Sequence, residues 1–244
     1  MVVLAAAVLS AIWPRSSSTV TAAATTTSTA TFVPPSTTVP PAFLFEAADA
    51  VGSEVALYDS PGAAESTGSL PNPTIEHVQL SFLVKEHGPP GWLKVQIARR
   101  PNESTAWIHE ADVAVRGVDN RIVVEREARQ LTVYQGMSNR VLFQAPVAAG
   151  APATPTPLGN FFVDIVVKVN RPSGAYGPYQ LSVAGFSDVL QSFGGGPGQI
   201  AIHGTNHPEL IGQFVSNGCV RMNNDDVIAL AALAPVGTPV EIVA

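Results

Sequence analysis

The sequence predicts a mainly β protein with one or two short helices, and three observations predict it. Glycine (20) and proline (21) punctuate the 244 residues so often that long helices have little room. Between them the apolar residues fall in short runs such as "QLSFLVKEH", "WLKVQIA" and "GQIAIH", which suit strands rather than helical turns. In the second half of the chain one stretch, "NNDDVIALAAL", has a convincing helical signature. Asn223 or Asn224 is placed to cap it, Asp225 and Asp226 suit its positive end, and Val227, Leu230 and Ala231 recur at helical spacing.

Composition narrows the function classes. Hydrophobic residues make up 46% and charged residues 13%, ample for one large core or two modest ones. A net charge of −6 argues against a nucleic-acid binder, which needs a basic face, and no basic run offers docking to an anionic membrane. The single cysteine excludes an internal disulfide framework and a Cys-based zinc site.

Along the chain, residues 1–24 read as a signal peptide or short anchor. Val2 to Ile12 is an apolar run too short to span a bilayer, small residues at Thr21–Ala24 suit a cleavage site, and the expected basic start is missing. Residues 25–42 continue a Ser/Thr/Pro-rich stretch that cannot bury enough surface to fold alone, so it is expected as a tether. Short strands at regular spacing make residues 43–117 a first β unit, with "GWLKVQIARRPNESTAWIHEADV" reading as two strands around a hairpin. Trp92 and Trp107 there are either core residues of a small barrel or part of a binding face. Asn102-Glu103-Ser104 matches a glycosylation pattern by letter only. Residues 120–244 form the second unit. It opens with paired strands turning at "QGMSN", and a strand in "GNFFVDIVVKV" has an apolar run suited to burial on both faces. The stretches "NRPSGAYGPYQLSVAGFS" and "FGGGPGQ" are loop-rich, and "GTPVEIVA" is a closing strand.

The chemistry-bearing residues crowd into "IHGTNHPELIGQFVSNGCVR". A thiol attacks only as thiolate and needs an imidazole or a helix N-terminus to ionise near neutrality. His203 ends a strand-like run, and Cys219 sits on a Ser-Asn-Gly turn shortly before the helix. The N–H groups of Gly218 and Cys219 are placed to face a reacting carbonyl oxygen. The plain alternatives are a buried core cysteine and a satisfied core histidine. A metal site from His203 and His207 lacks the helical spacing, because Pro208 follows His207 directly.

With those residues quoted, the stretch resembles the active-site signature of the L,D-transpeptidase family with its YkuD-type catalytic domain. "TPTPLGNFFV", "YGPYQLSV", "IHGTN", "SNGCVRM" and "GTPVEI" follow in the order that family shows them, over about half the chain. The resemblance implies a β-rich catalytic fold that remodels bacterial peptidoglycan. Cys219 is then the nucleophile, His203 the general base and acid, and the Gly204 carbonyl orients the imidazole. Donor stem peptides lose a terminal D-Ala to a cysteine thioester, and an acceptor amine resolves it as a 3→3 cross-link. Gly218, Ser216 and Asn217 support the oxyanion or turn. Asn217 departs from the histidine many members carry there and keeps hydrogen bonding without proton transfer. Arg221 binds a substrate carboxylate or pairs with Asp225 or Asp226. Thr205 and Asn206 shape the wall beside His203, while Tyr176 and Tyr179 cover the donor groove or belong to the core.

The resemblance further implies no metal, no cofactor, a monomer, an exported wall-side location, and acylation by carbapenem-type inhibitors. The first unit is similar to the end of a bacterial SH3-like domain, so the expected architecture is a small SH3-like barrel before the catalytic domain. Rivals are an L,D-carboxypeptidase of the same chemistry and a non-catalytic wall-binding protein. A papain-like protease fits less well, since there the cysteine precedes the histidine.

Overall fold

The structure, a computed structural model, describes residues 44–244. The expected signal segment (1–24) and linker (25–42) lie outside the described residues. In chain order the strands are β1 (Phe45–Ala50), β2 (Glu54–Leu57), β3 (Gly68–Pro71), β4 (Ser81–His87), β5 (Trp92–Gln96), β6 (Thr105–His109), β7 (Val113–Val118), β8 (Asn120–Glu125) and β9 (Gln130–Gln135). They continue as β10 (Val141–Pro146), β11 (Ala149–Gly150), β12 (Gly159–Lys168), β13 (Tyr179–Phe186), β14 (Gln199–His203), β15 (Phe214–Ser216) and β16 (Val220–Arg221). Helix α1 (Asn224–Leu233) and β17 (Pro239–Val243) complete the set. The protein is mainly β, as its turn-rich composition requires.

Alternation decides which strand faces are buried. In β5 Leu93 and Val95 point inward, and in β6 Ala106 and Ile108 do the same. A five-stranded sheet in the order β6-β5-β4-β1-β7, with the β2–β3 hairpin, closes over Phe82, Leu93, Val95 and Ile108. Trp92 and Trp107 are only half buried, so they are not the core of this unit. Instead Trp92 packs edge-on to Tyr58 (ring centroids 5.1 Å apart) and against His109 (4.1 Å) at its rim.

The second sheet runs β10-β9-β8-β17-β12-β13-β14-β16. The chain's last strand therefore inserts between β8 and β12, antiparallel to β12 and parallel to β8. A wholly buried core of Ile122, Val133, Phe161, Leu181, Ile202 and Val240 lies beneath, and α1 covers β13 and β14 with Val227 and Leu230. Strand β12 is buried on both faces through Phe161–Val163, stays partly buried through Val166 and reaches solvent only at Val167 and Lys168. Part of the stretch read as loop is strand: Tyr179–Phe186 forms the long, mostly buried β13, because its Leu181, Val183 and Ala184 pack inside despite the flanking glycines. Leu83, Phe162 and Ala184 join the two sheets in a small apolar seam.

The helix starts where its acidic pair predicts, but not by the expected side-chain cap. The Asn223 amide donates to Asp226 Oδ2 (3.2 Å), and Asn224 Oδ1 accepts the Thr205 N–H (2.9 Å). Both asparagine side chains serve the neighbouring loop or turn rather than the helix's free N–H groups.

Candidate active site

Strand pairing creates the site. Short β16 lies parallel to β14, with Ile202 opposite Val220 and His203 opposite Arg221. Cys219, one residue earlier, is carried beside Ala201, so the fifteen residues between His203 and Cys219 do not separate them in space. The turn before it depends on Gly218, whose φ of +112° suits glycine and strains other residues.

His203 is 4% exposed. Its Nδ1 lies 2.6 Å from the Gly204 carbonyl oxygen. A carbonyl only accepts, so Nδ1 carries the proton and Nε2 is left as the basic nitrogen. Burial pulls the imidazole down to about 4; the Gly204 hydrogen bond opposes that shift and the Arg221 charge adds to it. Burial also pushes the Cys219 thiol up, against contacts with the Ala201 backbone and the Arg221 charge that favour thiolate. At neutral pH the resting pair is thus thiol and neutral imidazole. The helix contributes less than its sequence position suggests, because it begins five residues beyond Cys219 with β16 in between.

His203, Cys219, Ser216, Asn217 and Arg221 share one cavity of about 140 Å³, with Ala175, Tyr176 and Phe193 as its remaining walls. The Tyr176 ring leans over the imidazole at 4.9 Å. Arg221 forms none of the ion pairs found among the described residues, Asp225 and Asp226 included, and its buried Nε has no partner there. It is a cation held facing the cavity.

Other expectations need correction. The Gly218 N–H is not free: it donates to Ser216 Oγ (3.1 Å), whose own hydroxyl donates to the Cys219 carbonyl (2.5 Å). Ser216 is therefore a turn-maker, since its single hydroxyl is used twice within the turn. The Cys219 N–H makes no hydrogen bond to another described residue and stays available. Tyr179 packs against the core from β13 and does not reach the cavity. Thr205 and Asn206 do not line it either. Thr205 is buried, with its N–H on Asn224 and its Oγ1 accepting the His207 N–H (3.0 Å), so it shapes the backbone behind His203. His207 faces solvent beside Glu209. Among the described residues, no group of three His, Cys, Asp or Glu side chains converges as a metal site would require.

Two contributors were not picked out in the sequence. Phe193 comes from the glycine-rich loop, and an aromatic among glycines was its only signal. Arg100 comes from the loop joining β5 to β6: its guanidinium donates to the carbonyls of Ser187 (2.9 Å), Leu190 (2.9 Å) and Pro197 (3.3 Å), gripping the loop that carries Phe193. Asn102 pairs with Phe186 in both directions at 2.9 and 2.8 Å, so its amide is engaged and unsuited to carry a glycan.

A thiol, an imidazole with one free basic nitrogen and an adjacent cation meet in a β-sheet cleft, the kind of arrangement that acyl transfer through a cysteine requires. The particular family follows from comparison. The L,D-transpeptidase catalytic domain family (YkuD) matches residues 119–242, and the chain belongs to it. A Bacillus subtilis protein bearing the name L,D-transpeptidase YkuD is 41% identical over 121 residues, 50% of this chain and 64% of that protein. Another from the same organism, named L,D-transpeptidase YqjB, is 36% identical over 127 residues, covering 50% of this chain and 70% of that one. The chain spans 64% of the length of the first of these relatives. A solved L,D-transpeptidase from Mycobacterium smegmatis aligns over 67% of this chain and 82% of its own at 18% identity, with a TM-score of 0.41.

Proposed function

We propose that the protein is an exported peptidoglycan L,D-transpeptidase that forms 3→3 cross-links through a thioester on Cys219, acting as a monomer without a cofactor. What supports the reading is one observation: Cys219 and His203 open into the same cavity, and the Gly204 carbonyl holds His203 with its basic nitrogen free. In the reaction His203 Nε2 takes the thiol proton as Sγ adds to the carbonyl between the stem's third residue and its terminal D-Ala. The Cys219 N–H faces the developing oxyanion, a contact worth on the order of 10²–10³ in rate. Collapse breaks the C–N bond, and His203 returns the proton to the departing D-Ala nitrogen. The acceptor amine then attacks the thioester, loses a proton to His203, and the released thiolate takes it back.

Because burial keeps the thiol protonated, proton transfer accompanies attack rather than preceding it. Arg221 serves as the carboxylate-binding cation, and Asn217 and Tyr176 line the donor's path. The five-stranded unit takes the place of an SH3-like wall-facing module, on a Thr/Pro tether behind a signal segment.

Intact-mass spectrometry of the full chain tests this with a carbapenem and, separately, a disaccharide-tetrapeptide donor. The expected result is a drug-mass adduct, absent in Cys219→Ala, together with a cross-linked dimer from the donor. Released D-Ala and tripeptide without dimer would assign an L,D-carboxypeptidase instead. Folded protein with neither adduct nor turnover would overturn the enzyme reading and leave wall binding.

A further inference from the structure

Away from Cys219, a cavity of about 270 Å³ lies between the two sheets. One side is built by the segment after β3, with Thr74, Ile75 and Glu76, and by Phe82 of β4. The other side is built by Asp164 of β12, Phe186 of β13 and Gln199 of β14. Most of this lining is apolar, which makes its few polar atoms informative.

Four buried side-chain nitrogen or oxygen atoms lack a partner among the described residues, and two of them line this one cavity: Thr74 Oγ1 and Asp164 Oδ1. Native proteins rarely leave such atoms unmatched. Of the donors near Asp164, Gln199, Ser81 and Arg116 are committed, and the Ser182 hydroxyl that favours its ionised form still leaves Oδ1 without a partner. Gln199 Nε2 already donates to Asp164 Oδ2 (2.7 Å) and to the Val183 carbonyl (3.0 Å). The Ser81 hydroxyl donates to Asp49 (2.7 Å). Arg116, beyond Asp164 in the adjoining hollow, is bound by Asp49 (2.7 Å) and the Val236 carbonyl (2.8 Å).

Charge points the same way. Two carboxylates, Glu76 and Asp164, line the cavity, and no lysine or arginine does. Burial pushes the Asp164 carboxyl up to about 6, hydrogen bonds from Gln199 and Ser182 draw it back, and Glu76 raises it further. At slightly alkaline pH it is an anion facing an apolar space. The complement of that arrangement is a group with N–H donors, a positive charge and a short apolar body.

We propose that this cavity is a second binding site, for a primary aliphatic ammonium, with Asp164 Oδ1 and Thr74 Oγ1 as its polar anchors and Phe82, Phe186 and Ile75 around its alkyl chain. An alkylammonium reaches both oxygens with its N–H groups while the chain covers the aromatic walls. The shared chemistry has two sources, a free small amine or the amine of a lysine-like side chain borne on a peptide. The site is independent of the chemistry at Cys219.

Ligand-observed saturation-transfer NMR on the full chain at pH 8 tests it. The probes are n-pentylammonium, Nα-acetyl-lysine amide and, as uncharged control, pentan-1-ol. The expected result is saturation of pentylammonium with a dissociation constant of about 1 mM. Binding weakens at least tenfold in Asp164→Asn, several-fold in Thr74→Val, and not at all in Cys219→Ala. Saturation of the lysine amide as well assigns a peptide-borne amine, and saturation of pentylammonium alone assigns a free one. No saturation by either amine would overturn the site. So would amine binding that survives both Asp164→Asn and Thr74→Val, or equal binding of pentan-1-ol. Thr74→Val removes one hydroxyl at constant shape and keeps the test decisive if Asp164→Asn does not fold.

Discussion

Arg100 Nη2 donates to the Leu190 carbonyl oxygen at 2.9 Å, so a residue of the β5–β6 hairpin holds the loop that brings Phe193 to the cavity of Cys219. The five-stranded sheet therefore reaches the site through backbone carbonyls. A guanidinium serves three such acceptors at once, which an ammonium cannot match in geometry. Arg100→Met is expected to slow acylation of Cys219 by a carbapenem about tenfold, as a displaced wall misplaces the acyl donor. Stability should fall by about 1–3 kcal/mol. Arg100→Lys should recover most of the stability but little of the acylation rate. Equal recovery of both, in stopped-flow acylation and thermal unfolding, would reduce Arg100 to a structural tie.

The pH profile of acylation follows from the buried imidazole. His203 protonates at about 4 rather than near its ordinary 6.5, because burial disfavours its charge. In the proposed mechanism the general base is lost below that pH. The acylation rate is expected to be half-maximal near pH 4 on its acid limb and level from about pH 5 to 7. An acid limb centred at 6–7 would mean an imidazole open to water.

Two buried groups give opposite dependences of stability on pH. His203 is lowered, so between pH 6.5 and 4 the unfolded chain binds the extra proton, and stability falls as pH falls. Asp164 is raised from 3.8 to about 6, so in that window the folded chain holds the extra proton, and stability falls as pH rises. Each effect is about 3 kcal/mol at full extent, and together they nearly cancel. Denaturant unfolding of His203→Gln between pH 4 and 6.5 should therefore lose stability with rising pH. Asp164→Asn should gain it. Parallel slopes in the two variants would refute the assignment.

Gly204 is needed for space. A Cβ on it would collide with Asn224 Oδ1 and approach Gly177 Cα at 2.9 Å. Since Asn224 Oδ1 accepts the Thr205 N–H, Gly204→Ala pushes apart the contact that fixes the backbone behind His203. The expected loss is about 1–3 kcal/mol, the usual range for overpacking. It should come with a lower acylation rate in protein that calorimetry shows still folded. An unchanged rate would show that the His203 orientation tolerates movement of this loop.

Local pattern in the chain was legible wherever an element depends on near neighbours. Strand periods, turn glycines and the acidic first turn of α1 were readable because each depends on residues a few positions apart. "IHGTN" and "SNGCVRM" were readable as a chemical pair because they carry the only thiol and a histidine at a strand's end. What needed the tertiary structure was set by contacts across the chain. Tyr176 and Tyr179 are three residues apart in one glycine-rich stretch, yet one leans on His203 and the other enters the core. The Ser216 hydroxyl was available for oxyanion or turn until the fold set it between Gly218 and Cys219. Arg100 and Ser187, 87 positions apart, meet only because two sheets pack together. Local periodicity encodes which face a strand buries. It carries no record of which distant carbonyl a side chain will reach, because that is decided when the cores close.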